Sequence, residues 1–241
     1  MIVPAEGAQP GSAALLAELL GDRLARIETV PVEDFALAEQ ARRLVDAVTL
    51  TDADPAERAA VAAELAALAD RLEARRRSDA IFLVRHEDGS LENLTNAASG
   101  RLNPHALHLT RHGAARRLGS SDLPVELRFG CTLGPSHGGS PGRAHGGVVA
   151  LLLDQVLGLT ATSAGLTGLT GGLNVIYRRG TPWGVPLEVV GRAVRQDGRK
   201  SYAEGEIVAN GVVTAEATAV FVAERRPPAP SDRTDAGVTD A

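Results

Sequence analysis

Cysteine is almost missing from this chain: among 241 residues there is one, Cys131. A single thiol closes no intramolecular disulfide, so a disulfide-stapled scaffold is excluded and a reducing compartment fits. Lysine is nearly absent too, with arginine carrying almost all the positive charge, a bias of composition that says nothing about function. The net charge of −5 and a pI near 5.7 leave no electrostatic case for nucleic acid, whose backbone demands clustered Lys and Arg. No apolar run approaches the roughly 20 residues that span a bilayer. Residues 1–20 lack the basic and then apolar order of a secretory leader. No dinucleotide or P-loop fingerprint occurs. The expectation is a soluble, cytoplasmic protein with neither nucleic acid nor membrane as a partner. What is present is a hydrophobic content of 44%, enough for one full domain with a smaller appendage.

Residues 12–78 read as helical. Leu15, Leu16, Leu19, Leu20, Leu24 and Ile27 recur at helical spacing, and so do Leu37, Ala41, Leu44, Val45 and Val48. A third helix has the clearest start, with Asp54 as N-cap, Pro55 in the first position and Glu57 completing a capping-box pattern. Its stripe is Val61, Leu65, Leu68 and Leu72. Arg75, Arg76 and Arg77 are expected in its last turn, where cations complement the helix dipole. From 79 to 105 the pattern loosens; Ala80 to Val84 reads as a short strand and Asp88-Gly89 as a turn.

The period then changes. Val125, Leu127, Phe129, Cys131 and Leu133 alternate with Glu126, Arg128, Gly130 and Thr132, the pattern of a half-buried strand. Four more strand-like runs fill Leu169 to Val222. Asp197-Gly198 and Asn210-Gly211 separate successive runs and supply the positive φ that tight hairpins need. These runs are expected to form an antiparallel meander. Beyond Glu224 a tail rich in Pro, Asp, Arg, Thr and Ala has no periodicity and is expected to be disordered. One fully apolar helix is expected over 146–160, buried and wrapped by the sheet in an α+β layout.

Asp154 interrupts that helix between Leu153 and Gln155. A buried carboxylate is expensive unless paired, protonated or needed. For a lone buried Asp the ordinary explanation is a structural hydrogen bond. The glycines argue for more: Gly146 and Gly147 open the same helix, where amides lack intrahelical partners and a ligand can approach closely. Such an N-terminus suits a developing oxyanion. Eight residues separate Gly146 from Asp154, roughly 12 Å along a helix. One carbonyl carbon cannot be within reach of both. If both serve one site, amide and carboxylate must come from different subunits, which predicts a dimer with two sites across its interface.

His145-Gly146-Gly147 followed, after six residues, by Asp154 resembles the signature of PaaI-like hotdog-fold acyl-CoA thioesterases. The run 139–145 is similar to the loop entering that family's helix, and 170–179 to its following strand. Asp197-Gly198-Arg199-Lys200 resembles its hairpin, Ala215-Glu216-Ala217-Thr218 its last strand, and Asn103-Pro104 the entry to its first. The likeness covers residues 101–224. It implies a hotdog fold, an antiparallel sheet wrapped around a central helix, with an N-terminal helical extension. The implied division is 1–79 helical region, 80–100 linker or short hairpin, 101–224 thioesterase domain and 225–241 tail.

The activity implied is hydrolysis of an acyl-CoA thioester, by a homodimer or dimer of dimers, with no cofactor and no metal beyond the CoA of the substrate. Asp154 is the implied general base or nucleophile, the Gly146 amide the oxyanion donor, and His145 a positioning group for loop or substrate. Thr170 is the hydroxyl that orients water or the carboxylate. Gly147, Arg178, Arg199, Lys200 and Ser201 match substrate-binding positions, the last four near the CoA phosphates and adenine. A solvated strand edge is the alternative for those four. Where the family often carries an aromatic-acidic-Gly-Pro run, this chain has His137-Gly138-Gly139-Ser140. The alternative function is a non-catalytic acyl-CoA-binding or scaffold module. A hydratase would need a His and acid arrangement that this motif does not supply.

Three further patterns carry blander readings. Gly134-Pro135-Ser136-His137-Gly138 matches G-x-S-x-G, but Gly138, Gly139 and Pro141 follow at once and no His comes after His145, so it reads as a loop. His108 and His112 lie four apart without a third ligand, and Cys131 falls on the apolar side of its strand.

Overall fold

The computed structural model describes residues 24–223 except 79 and 167. The leucine stripe from Leu15 to Leu20 and the tail beyond Glu224 lie outside the described residues. Within them, the first expected helix does not reach Ile27. Ala25–Arg26 is a short strand, β1, and Ile27–Thr29 a single 3-10 turn. The reason is pairing: β1 runs parallel to β2 (Leu83–Arg85), with Ala25 opposite Val84. Pro31 then restrains Val30 to extended backbone.

Two helices follow, α1 (Val32–Leu50) and α2 (Pro55–Glu73). The Asp54 side chain accepts the amides of Ala56 at 2.8 Å and Glu57 at 2.9 Å, the cap that the sequence announces. α2 ends at Glu73, so Arg75, Arg76 and Arg77 lie past its last turn rather than in it. The expected stripe on α1 is only partly its covered face: Ala41 and Leu44 are half-buried, Leu37, Val45 and Val48 are exposed, and Ala38 is buried. β2 and β3 (Leu91–Asn93) form a hairpin through the turn at Asp88-Gly89, with Gly89 at φ +82°.

The main sheet is built from β4 (Thr110–Arg111), β5 (Arg116–Arg117), β6 (Val125–Thr132), β9 (Leu169–Tyr177), β10 (Pro186–Asp197), β11 (Lys200–Ala209) and β12 (Val212–Val222). Between β6 and β9 come a small hairpin, β7 (Gly138–Ser140) and β8 (Arg143–Ala144), and the central helix α3 (Gly146–Ser163). Asn103-Pro104 is a turn, and the first strand of the sheet begins only at Thr110. Strand order is β4-β6-β10-β11-β12-β9, with β5 also on β6, and every pairing is antiparallel. β10, β11 and β12 are a meander, turning at Gly198 (φ +56°) and at Asn210-Gly211 (φ +51° and +76°). β9 departs from the expected meander: it crosses to the far side of β12 and is the open edge of the sheet.

One side of the sheet packs on α3. Leu127, Phe129, Cys131, Val189, Ala203, Ile207, Ala217 and Phe221 meet Val149, Leu152, Leu153, Val156 and Leu157. α3 is long and apolar enough for a membrane span by length and composition, yet these residues make it the core helix of the sheet. It is not wrapped on all sides: Val148, Leu151, Asp154, Gln155 and Leu159 are only half-buried. Cys131 is in this core as expected, and burial pushes its thiol up to about 11.

The other side of the sheet is polar and cross-linked. The Glu126 carboxylate is 4% exposed, and it receives Arg192 Nε at 2.8 Å, Arg128 Nε at 3.0 Å and Arg116 at 3.2 Å. Burial pushes its pKa up, but the hydrogen bonds from Arg128 and Arg192 outweigh this, and it stands below the ordinary 4.5. A carboxyl lowered in the folded state contributes stability above its unfolded value and loses it as pH falls through the folded one. Glu126→Gln is therefore expected to cost about 1–2 kcal/mol at pH 7, since the arginines left behind still reach water. That cost should shrink as the pH drops below about 4.5, checked by urea unfolding of both proteins across pH.

Candidate active site

The entrance to α3 is assembled from glycine and histidine. Gly138–Ser140 and Arg143–Ala144 form a tight hairpin tied to the connection between β9 and β10, where the Ala144 amide donates to the Thr181 carbonyl at 2.8 Å. A Cβ on Gly139 would lie 2.7 Å from the Cα of His145, so only glycine lets this hairpin rest on the helix start. His145 is the N-cap of α3. Its Nδ1 accepts the Gly147 amide at 3.0 Å, and its carbonyl accepts Val148 and Val149. The two glycine amides therefore differ. Gly147 is spoken for by His145, against the expectation that both are open, because an imidazole at the N-cap reaches the second amide. The Gly146 amide has no hydrogen-bond partner among the described residues, while its carbonyl accepts the Tyr177 hydroxyl at 2.9 Å.

Two turns along α3, Asp154 is half-buried rather than sunk in the core. Its Oδ1 accepts the hydroxyl of Thr170, at the start of β9, at 3.0 Å. Asp154 and Thr170 are thus in direct contact, while Gly146 lies by Tyr177 at the other end of β9. Next to Asp154, Gln155 Nε2 donates to Ser99 Oγ at 2.8 Å, so the loop between β3 and β4 reaches the same helix.

The remaining candidates are not gathered in one place within a chain. Arg178 follows β9 and pairs with Glu216 at 2.6 Å. Arg199 donates to the Ala223 carbonyl at 2.9 Å, at the opposite end of β12, and Lys200 pairs in register with Val222. The nine steps of chain from Thr214, whose carbonyl receives the Arg178 amide, to Ala223 span roughly 30 Å of strand. Ser201 is buried at 4% exposure. It points to the helix side of β11, so it is not a surface group for phosphate. Alternation alone separates it from Lys200.

The Gly134–Gly138 motif is a 3-10 turn (Pro135–His137) running straight into β7, without the helix that a nucleophile elbow requires. Its Ser136 hydroxyl donates to Asp46 rather than to a histidine. Burial holds the His137 imidazole below its ordinary value, against an upward pull from Asp46. No group of three His, Cys, Asp or Glu placed to hold a metal occurs among the described residues. An apolar cleft formed by Leu37, Ala41, Leu72 and Phe82, rimmed by Arg75–Arg77, belongs to the N-terminal helices and not to Asp154.

A thioesterase superfamily family model matches residues 141–218, from the hairpin before α3 into β12. A solved thioesterase superfamily protein is 34% identical, aligned over 78% of this chain and 94% of its own, with a TM-score of 0.66. A Streptococcus pneumoniae hypothetical thioesterase solved with coenzyme A is 24% identical over 50% of this chain and 92% of its own, TM-score 0.42. Thioesterase superfamily member 2 of Mus musculus is 17% identical over 47% and 80%, TM-score 0.41. The chain belongs to the thioesterase superfamily, with the hotdog fold. The first alignment is longer than residues 101–224, just over half of the chain, and so takes in part of the N-terminal region as well.

The His145 cap is testable by itself. His145→Ala should lower stability by about 1 kcal/mol, and His145→Asn, which keeps an acceptor, should lose much less; thermal unfolding of the pair decides this.

Proposed function

We propose that this protein hydrolyses acyl-CoA thioesters to free acid and CoA, as a homodimer whose two sites each combine elements of both subunits. The observation that supports this reading best is the pair Asp154–Thr170, a half-buried carboxylate on α3 held by a hydroxyl, beside the open edge strand β9. β9 exposes Leu169, Ile176 and Tyr177 on that edge. An unpaired edge of this kind invites a second strand. Antiparallel pairing of β9 with its own copy about a two-fold axis sets the Thr170 end of one subunit against the Tyr177 end of the other. Asp154 then faces Gly146 of the partner subunit, which removes the roughly 12 Å separation along one helix. The same axis carries Arg178 of the partner subunit toward the end of the sheet that holds Arg199 and Lys200, where CoA phosphates would lie.

The chemistry follows from that juxtaposition. Asp154 takes a proton from water as the water oxygen bonds to the thioester carbon, with Thr170 fixing the carboxylate. The free amide of Gly146 donates to the oxyanion. When the tetrahedral intermediate collapses, the C–S bond breaks and the proton returns to the departing CoA sulfur. In the nucleophilic variant the Asp154 carboxylate attacks the thioester carbon, the C–S bond breaks and CoA leaves as the thiolate, and water then hydrolyses the acyl anhydride to the free acid and the regenerated carboxylate.

A panel of acyl-CoAs with a free-thiol assay tests the activity. Asp154→Asn should lower kcat at least about 100-fold with CoA binding and fold retained. Undiminished hydrolysis by that variant would sink the role of Asp154, and CoA binding without hydrolysis by the native chain would favour a binding module instead.

The shared site has its own test. Gly146→Pro removes the amide hydrogen and puts ring carbon in its place, while proline fits the first helical position and an added Cβ meets Tyr177 at an ordinary 3.5 Å. Mixing Gly146→Pro with Asp154→Asn subunits should leave one intact site in each mixed dimer, about a quarter of wild-type activity after random exchange. Verified mixed dimers with no activity exclude a shared site.

A further inference from the structure

The N-terminal helices meet the hotdog fold at the loop that leads into α3, and a carboxylate makes the contact. Asp46, half-buried on α1, accepts the Ser136 hydroxyl at 2.7 Å and the Ser136 amide at 3.3 Å. A Cβ on Gly134 would lie 2.7 Å from the same carboxylate, so glycine there opens the space that Asp46 fills. The turn beneath it closes on itself. His137 N–H donates to the Gly134 carbonyl at 3.1 Å, and Gly134 N–H donates to His137 Nδ1 at 3.0 Å. The His137 carbonyl in turn accepts the His145 amide at 2.8 Å. His145 caps α3, and the next amide is that of Gly146. A path that alternates hydrogen bonds with peptide links (Asp46 to Ser136, His137 to His145, His145 to Gly146) therefore joins α1 to the first residue of α3.

We infer that Asp46 is a positioning residue for the Gly146 amide, and that the N-terminal helices are part of the framework of the site. The catalytic consequence rests on the reading of Gly146 as oxyanion donor; the mechanical link rests on geometry alone. An oxyanion donor has to sit about 3 Å from where charge develops, and misplacement by 1 Å costs up to about 100-fold in rate. The loop from Gly134 to Gly147 holds six glycines and has little stiffness of its own. Asp46 clamps that loop at its first turn, and the hairpin hands the constraint on to His145.

The full chain tests this with Asp46→Ala, Asp46→Asn and Gly134→Ala, read by steady-state kinetics and by amide hydrogen exchange. Asp46→Ala is expected to lower kcat about 10-fold with KM within about twofold. Exchange should quicken across residues 134–150 and stay unchanged in β10–β12. Asn keeps an acceptor oxygen for both Ser136 donors, so Asp46→Asn should recover most of the lost kcat and the slow exchange. Gly134→Ala pushes on the carboxylate from the other side and should reproduce Asp46→Ala. Unchanged kcat in Asp46→Ala overturns the inference, whatever its exchange. So does faster exchange throughout the protein with no rescue by Asn, which marks a general loss of stability. If the native chain hydrolyses no acyl-CoA, the proposed activity fails, and exchange at 134–150 still decides whether α1 holds the start of α3.

Discussion

α3 lies on the sheet at a spacing that glycine alone allows. On β10, a Cβ at Gly191 would run into the Thr160 hydroxyl, and on β11 one at Gly205 would press on Leu157 at 2.8 Å and collide with the Val190 carbonyl. Gly158 on the helix faces Phe221 at an ordinary 3.7 Å. Interiors packed at this density do not absorb an added methyl without moving something. The depth and rotation of α3 are thereby fixed along one buried face, Val149, Leu152, Leu153, Val156 and Leu157. Asp154 and Gly146 cannot be adjusted independently of that face. Where Leu153 goes in, its neighbour Asp154 must come out to the half-buried rim.

That rim position settles the physical character of the carboxylate. A fully buried Asp would need a paired charge or would stay protonated. At the rim, one hydroxyl from Thr170 suffices to orient it, and the rest of its surroundings are left for water, substrate or another subunit. The same rotation of α3 leaves Val148, Leu151 and Leu159 half-covered, and the outer edge of β9 is open. An apolar helix face and an open strand edge are both left to cover. The proposed two-fold assembly covers both at once, and brings together the amide and the carboxylate that one helix holds apart.

Much of this was legible in residue order, and the limits have physical causes. Alternation from Val125 to Leu133 gives the inward face of β6 correctly because side chains on a strand alternate strictly. Asp197-Gly198 and Asn210-Gly211 mark real turns because only such residues accept the positive φ found there. Asp54 caps α2 as its spacing says. What escapes is whatever depends on distant partners. β9 reads as a member of a meander, since periodicity carries no strand order, and only its pairing with β12 shows the crossover. Leu24 and Ile27 fit a helical stripe, but the strand at Leu83–Arg85 claims the segment between them. Arg178, Arg199 and Lys200 look like one basic set in sequence, yet they sit at opposite ends of β12. The Asp46–Ser136 contact joins residues ninety apart and has no local signature at all.

The histidine before the two glycines shows how a motif can be right about place and incomplete about mechanism. Both glycine amides look available, since a helix N-terminus leaves its first amides without intrahelical partners. The His145 imidazole takes one of them, Gly147, and by doing so fixes the direction of the other. A helix start made of two glycines would otherwise fray, because each loses more backbone entropy on ordering than any other residue. The cap therefore does for the second amide what the Tyr177 hydroxyl does for the Gly146 carbonyl. Both tie down the peptide that follows Gly146, one at the Gly147 N–H and one at the Gly146 carbonyl, and leave the Gly146 N–H, one peptide earlier, unpaired. An amide that is free and also immobile has to be held through its neighbours, and here the holding groups come from the cap, from β9 and, through His137, from the N-terminal helix.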